Sequence, residues 1–195
     1  MTLPTSRRAA IKLLIVSLLF VNPALRAQEI NSVWVGPVGN WSDGSKWSIA
    51  PDFPNNRHGY TYSAFLDSGD ATLNQSITIE QLVLGTNGVP TLRGIGGPVR
   101  NNSMNVRSNF DLRRGLLTGN ATLNALGTSS ISGNSTMLGW RLVLAGPTTW
   151  SGRLGLGNGG AIDNLPGRTL DLSTGAICNY SQISSGAGLL ETMVE

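Results

Sequence analysis

From Ile77 to about Asn179 the chain alternates apolar and polar residues in short runs. SITIEQLVLG, PTLRG, SMNVRS, NATLNAL, RLVLAG and RLGLG are examples, and each is broken by Gly or Asn. Alternation at period two predicts β-strands that bury one face. After the first 27 residues no stretch of twelve carries apolar positions at helical spacing without Gly, Pro or Asn clusters, so the fold class predicted is all-β.

The spacing of the runs carries further information. One set of apolar positions, Leu82/Leu84, Met104/Val106, Leu123, Leu142/Leu144 and Leu170/Leu172, advances by 22, 19, 19 and 28 residues. A second set, Leu92, Leu112, Ile131, Leu154 and Ile177, advances by 20, 19, 23 and 23. Two interleaved series of nearly equal period predict a solenoid in which each coil supplies two or three short strands. The architecture expected is a right-handed parallel β-helix of about five coils over 77–180, its inward Leu, Ile and Val stacking at the strand spacing of roughly 4.8 Å. Asn87-Gly88, Gly119-Asn120, Gly133-Asn134 and Asn158-Gly159 fall where strands break, and these residues tolerate left-handed backbone. A β-sandwich is the alternative, because its turn signals also recur every 8–12 residues or so.

Residues 28–76 break the pattern. They hold Trp34, Trp41, Trp47, Phe53, Tyr60, Tyr62 and Phe65, most of the aromatic residues beyond the leader, and lack the period. A solenoid exposes an apolar end unless something covers it, and rings that each bury roughly 150–250 Å² cover it efficiently. This segment is therefore expected to be an N-terminal cap. The competing reading is a carbohydrate-stacking platform made by Trp41, Trp47 and, further along, Trp150.

Residues 1–27 read as a secretory signal peptide. Arg7, Arg8 and Lys12 precede the apolar run LLIVSLLFV, which is too short for a permanent span of roughly 20 residues. The stretch Ser6 to Lys12 also resembles a twin-arginine signal, although the ordinary secretory route fits the apolar core better. An extracellular or cell-surface location and no stable membrane span are expected. The leader also removes the apparent basicity: the formal charge of +3 contains Arg7, Arg8, Lys12 and Arg26, leaving ten basic against eleven acidic residues from Gln28 onward. No basic patch survives to argue for nucleic acid.

The run Trp34-x-Gly36-x-x-Gly39-Asn40-Trp41-Ser42-Asp43-x-x-x-Trp47-Ser48, with Pro51, Pro54 and Ile79-x-x-Leu82-x-Leu84-Gly85 after it, resembles the opening of large secreted bacterial surface proteins with autotransporter-associated β-strand repeats. Many longer members of that group end in a PEP-CTERM sorting tail. Residues 146–173, with Trp150 and Asn164-x-x-Gly167-x-x-Leu170-x-Leu172, are similar to one of its repeats. The resemblance spans most of 32–190 and implies an adhesin-like stalk rather than an activity. Because such proteins continue for many coils, residues 181–195 are read as a truncated or frayed coil and the sequence as an N-terminal fragment. Self-association through an uncapped C-terminal end is the corresponding expectation.

Candidate chemistry is sparse. His58 is the single histidine and sits in a loop-like Asn55-Asn56-Arg57-His58-Gly59. Cys178 is the single cysteine and reads as a small buried hydrophobe. Asp67-Ser68-Gly69-Asp70 lacks the alternating ligands of a calcium loop and reads as a turn. Arg113-Arg114 and an Arg93/Asp111 pair read as solvated faces. No two outward carboxylates stack on consecutive coils, as a hydrolase would need. The sequence thus predicts no enzyme, no catalytic, cofactor or metal residues and no cofactor. The partners expected are extracellular polysaccharide, matrix or sister chains. The runner-up is a carbohydrate-binding module or an inactive polysaccharide-lyase relative.

Overall fold

The computed structural model describes residues 27–57, 59–96 and 102–180. The leader up to Arg26, His58 and the segment 181–195 lie outside the described residues, and with them the readings made there. Fifteen strands follow in chain order. They are β1 (Gln28–Val33), β2 (Val38–Asn40), β3 (Tyr60–Leu66), β4 (Asp70–Leu73), β5 (Ile77–Leu84), β6 (Thr91–Gly94), β7 (Asn102–Leu112) and β8 (Gly115–Ala125). Then come β9 (Thr128–Ile131), β10 (Asn134–Leu144), β11 (Thr148–Trp150), β12 (Arg153–Gly157), β13 (Ala161–Asn164), β14 (Leu170–Leu172) and β15 (Ile177–Tyr180). One 3₁₀ turn, Gly44–Lys46, interrupts them. Among the described residues no helix is long and apolar enough to cross a membrane.

Every pairing between these strands is parallel, which is not the antiparallel pairing of a β-sandwich. The protein is all-β and built on parallel sheet. The pairs fall into three ladders. The first runs β1–β3–β5–β7–β9–β11–β14. The second runs β2–β4–β6–β8–β10–β12–β15, and the third joins β5, β7, β8, β10 and β13. Strands β5, β7, β8 and β10 each serve two ladders, one with each half.

Registers align the apolar residues. Leu66, Leu84, Leu112, Ile131 and Trp150 follow one another in the first ladder. Ala71, Leu92, Leu117, Met137 and Leu156 do so in the second, and Ile77, Met104, Leu123, Leu142 and Ile162 in the third. All fifteen are buried in a single apolar core. Fully burying such a side chain contributes about 1.5–3 kcal/mol, so the alternation alone accounts for the order of the strands' inner faces.

Two expectations need correcting. The apolar series read from spacing do not each follow one ladder. Met104, Leu123 and Leu142 stack as expected, but Leu82/Leu84 face Phe110/Leu112, and Leu170/Leu172 face Thr148/Trp150. In the second series Leu112 and Ile131 stack, whereas Leu92 and Leu154 belong to another ladder and Leu154 faces Cys178 rather than Ile177. The connections between strands differ in length, so residues at equal spacing do not keep equal places. The boundary at residue 76 is also absent from the pairing. Strands β1 to β4 already occupy the first two ladders, and the excursion that begins at Trp41 and runs to Arg57 lies between β2 and β3.

The corners depend on close backbone approach. Gly119 and Gly139 approach each other at the bend between the second and third ladders, where the register of β8 and β10 shifts, with φ of 83° and 81°. A Cβ on Gly139 would stand 2.5 Å from the Gly119 carbonyl oxygen. Only glycine meets both demands cheaply. Of the four Asn/Gly pairs at strand breaks, Asn158-Gly159 takes left-handed backbone at both residues and Gly119-Asn120 at Gly119, whereas Asn87-Gly88 and Gly133-Asn134 take it at neither.

Candidate functional site

The excursion after β2 is built by local chemistry. Asp43 caps the 3₁₀ turn: its Oδ1 accepts from the Ser45 hydroxyl at 2.6 Å and from the Ser45 backbone N–H at 3.0 Å. Those bonds, the hydroxyl first, hold the Asp43 carboxyl below its ordinary value. The chain then folds back onto β1. The Val35 N–H donates to the Lys46 carbonyl at 2.8 Å, the Ser48 N–H donates to the Val33 carbonyl at 2.9 Å, and the Val33 N–H donates to Ser48 Oγ at 3.0 Å. Trp34 and Trp47 form an isolated antiparallel bridge at this point.

Farther along, the same excursion reaches the first strand of the third ladder. The Asn56 N–H donates to the Thr78 carbonyl at 2.6 Å, and Asn55 Oδ1 accepts from the Thr78 N–H at 3.0 Å. Outward backbone groups that would otherwise lack a strand beside them are thereby satisfied on β1 and on β5. An unpaired edge is a template for another chain, and here the excursion occupies it.

Between these contacts lie the indoles. Trp34, Trp41 and Trp47 are 4%, 0% and 1% exposed. Trp47 meets Trp34 edge-on with ring centroids 5.1 Å apart, and Trp41 with centroids 4.6 Å apart. Trp41 Nε1 donates to the Pro54 carbonyl and Trp47 Nε1 to the Trp41 carbonyl, both at 2.8 Å. The Trp34 indole N–H has no partner within the described structure. The glycines of the motif make room: a Cβ on Gly36 would lie 2.7 Å from Lys46 Cδ, and one on Gly39 2.9 Å from Lys46 Cε. The Lys46 stem thus lies along a floor of glycine backbone.

Trp150 is 5% exposed, stacks on Ile131 in the first ladder and donates from Nε1 to the Gly152 carbonyl at 2.8 Å. A sugar stacks on a ring face that is open to water. In this structure the faces of Trp41, Trp47 and Trp150 are all packed against protein, and Trp41 and Trp47 lie together whereas Trp150 stands in β11. Sequence reasoning missed Trp140, which is fully buried at the Gly139 corner with Nε1 donating to the Thr118 carbonyl at 2.8 Å.

No protein-family model matches the chain, and no curated protein or solved structure is significantly similar to it. The site is therefore read from its own geometry.

The outer faces carry charges in pairs. Arg93 bonds Asp70 at 3.0 Å and Arg113 bonds Asp111 at 2.7 Å, so the expected Arg93/Asp111 pair does not form. Arg57 pairs with Asp52 and Arg141 with Asp163. Asp67 Oδ1 accepts from the Thr86 N–H at 2.6 Å and Gly69 has φ of 82°, which makes Asp67–Asp70 a turn pinned to the next rung. On the third ladder Asn124 Nδ2 donates to Asn105 Oδ1 at 2.8 Å and Asn105 Nδ2 to Thr78 Oγ1 at 3.4 Å, an outward polar ladder across three strands. Among the described residues no group of three His, Cys, Asp or Glu stands close enough to hold a metal ion. A shallow depression of about 350 Å³ lies beside the excursion, lined in part by Asn56, Arg57, Tyr60, Thr78 and Arg107.

Proposed function

We propose that the chain is an exported, non-catalytic surface protein whose three ladders are the sides of one right-handed parallel β-helix, closed at its first turn by the tryptophan excursion. The carrying observation is that all three ladders advance together: in each, residues pair in parallel with others 18 to 32 positions further along, and their inward side chains share one core. A chain visiting three ladders in rotation is what a coil requires. The reading of the excursion as a cap is supported by its bonds to the edges of β1 and β5 and by the burial of Trp41 and Trp47.

The outward faces favour recognition by shape and hydrogen bonding over chemistry. Four Asp side chains are each paired with an Arg. The Thr78–Asn105–Asn124 ladder offers amide and hydroxyl groups at regular strand spacing. Such a face suits an extended polar partner, a polysaccharide or matrix chain, and the protein acts as an adhesive or structural element at the cell surface.

The test combines export, binding and turnover. Expressed with its leader in a bacterial host, the chain should appear outside the cytoplasm with its mature N-terminus near Gln28 by mass spectrometry. The purified protein should be retarded in gels containing a bound polysaccharide, and Asn105→Ala with Asn124→Ala should abolish the retardation with folding intact. New reducing or unsaturated ends released from the polymer would sink the proposal, as would quantitative retention in the cytoplasm.

A further inference from the structure

The two ends of the ladders differ. At the first end, Lys46 and Ser48 bond the outer edge of β1, and Asn55 and Asn56 bond that of β5. At the other end, among the described residues, nothing pairs with the outer edges of β13, β14 and β15. Leu172 is 56% exposed there, and Leu170, Ala176 and Cys178 are only partly buried against the core. In the first ladder the file of Leu170 runs through Thr148, Ser129, Phe110, Leu82 and Ala64 to Ser32 on β1, whereas the wholly apolar file of Leu172 runs through Trp150, Ile131, Leu112, Leu84 and Leu66 to the position of Trp34 just past β1. Two copies stacked head to tail would therefore continue that file in the same parallel sense.

We propose that the excursion 41–57 is an assembly guard: it holds the β1 edge shut against the β14 end of a second copy, and releasing it lets copies add head to tail. This inference rests on the coiled reading above. Head-to-tail contacts do not close on themselves, so the released protein grows into filaments rather than stopping at a dimer. The guard is narrow. Its hydrogen bonds to the β1 edge are confined to Val33, the last residue of β1, which meets the Ser48 N–H and hydroxyl, and to Val35 just past it, which meets the Lys46 carbonyl; behind them Trp47 packs on Trp34, and the indoles are anchored through Pro54 and the Trp41 carbonyl.

Ser48→Pro separates the two. Proline removes the N–H that bonds Val33 and the hydroxyl that accepts from it, while Trp47 at φ −116°, ψ 149° already has the extended backbone that a following proline favours. Ser48 itself is exposed. Gln28 and Trp34 direct their N–H groups to β3, and Val33 and Val35 direct theirs to the excursion. Asn31, two residues before Val33, therefore points its N–H outward as well. Asn31→Pro spoils the released edge without touching the β1–β3 bonds, and Leu172→Lys puts a charge on the opposing end.

In sedimentation velocity the mature wild-type chain should run as a monomer at all concentrations. Ser48→Pro should show a weight-average mass that climbs with concentration, with filaments in electron micrographs. Adding either Asn31→Pro or Leu172→Lys should return it to monomer. The guard is refuted if Ser48→Pro stays monomeric, whatever its near-ultraviolet tryptophan spectrum, if the wild type already assembles, or if either second substitution leaves the assemblies unchanged. Disulfides formed between Asn105→Cys and Asn124→Cys, and between Ser130→Cys and Thr149→Cys, report on the ladders themselves. Their failure would indict the coiled reading, and their success with a monomeric Ser48→Pro would indict the guard alone.

Discussion

Replacing Trp41 by alanine separates a cap from a sugar platform by magnitude. The ring has no solvent exposure, its Nε1 donates to the Pro54 carbonyl at 2.8 Å, and Trp47 packs edge-on against it at 4.6 Å. Truncating a ring so placed should cost about 3–5 kcal/mol, the larger part from lost burial and the cavity left behind. Trp41→Phe keeps most of the ring volume but strands the buried Pro54 carbonyl, and should cost about 1–3 kcal/mol. Against a domain stability of about 5–15 kcal/mol the first loss is severe and the second tolerable. In urea titrations followed by far-ultraviolet circular dichroism, a slope near 2 kcal/mol/M would turn the alanine change into a midpoint drop of about 2 M, with the phenylalanine variant between it and the wild type. A drop below about 0.5 M at unchanged slope would refute the packing argument. Loss of polysaccharide binding at unchanged midpoint would do more: it would restore the indoles to a ligand-binding role.

Three further outcomes follow from particular contacts. A Cβ on Gly133 would overlap the Arg113 carbonyl of the neighbouring rung, whereas one on Gly159, at φ of 77°, meets nothing within 4 Å. Gly133→Ala should therefore destabilise by about 1–3 kcal/mol through steric overlap, and Gly159→Ala by only about 1 kcal/mol through backbone strain; equal melting temperatures would contradict this. The depressed Asp43 carboxyl binds its proton less readily folded than unfolded, so its contribution is present above the unfolded value and is lost as pH falls through the folded one. A carboxyl-carbon NMR titration should place Asp43 below a free aspartate in the wild type, partway back in Ser45→Ala, which removes the hydroxyl donor, and closest to the ordinary value in Ser45→Pro, which removes the backbone N–H as well. Burial raises the Cys178 thiol, so iodoacetamide should alkylate it more slowly at neutral pH than a free thiol, with the rate still climbing beyond the pH at which a free cysteine levels off.

Much of the fold was legible because one force wrote it twice. Alternation marked strands such as β8 and β10, and the need to bring inward residues into register imposed the period of about twenty, seen in Met104, Leu123 and Leu142. The phase was harder to read. Leu84 and Leu112 pair across 28 residues while Leu112 and Ile131 pair across 19, because the connections after β5 and β6 are both longer than their counterparts one turn later, and a connection leaves no apolar signature of its length. Trp140 escaped notice for a similar reason: it sits just after the corner Gly139, where the register shifts and the alternation restarts.

The excursion was legible in kind but not in geometry, and the cause is chemical. Burial leaves a mark in residue type, so a cluster of indoles announced a covered surface. Edge protection is done by backbone groups of Lys46, Ser48 and Asn56, which carry no mark at all, and by the Ser48 hydroxyl and the Asn55 amide, which in sequence look like any turn. Satisfying an outward N–H at Val33 or Thr78 requires only that some carbonyl or hydroxyl arrive there, and almost any sequence supplies one. What the sequence does constrain is the approach: Gly36 and Gly39 must lack side chains for Lys46 to lie flat, and Gly44 must lack one because the Pro51 carbonyl occupies the space. The spaced glycines of the tryptophan motif are thus the trace left by a strap of chain pressed against the first strands, and the tryptophans between them fill the volume that the strap encloses.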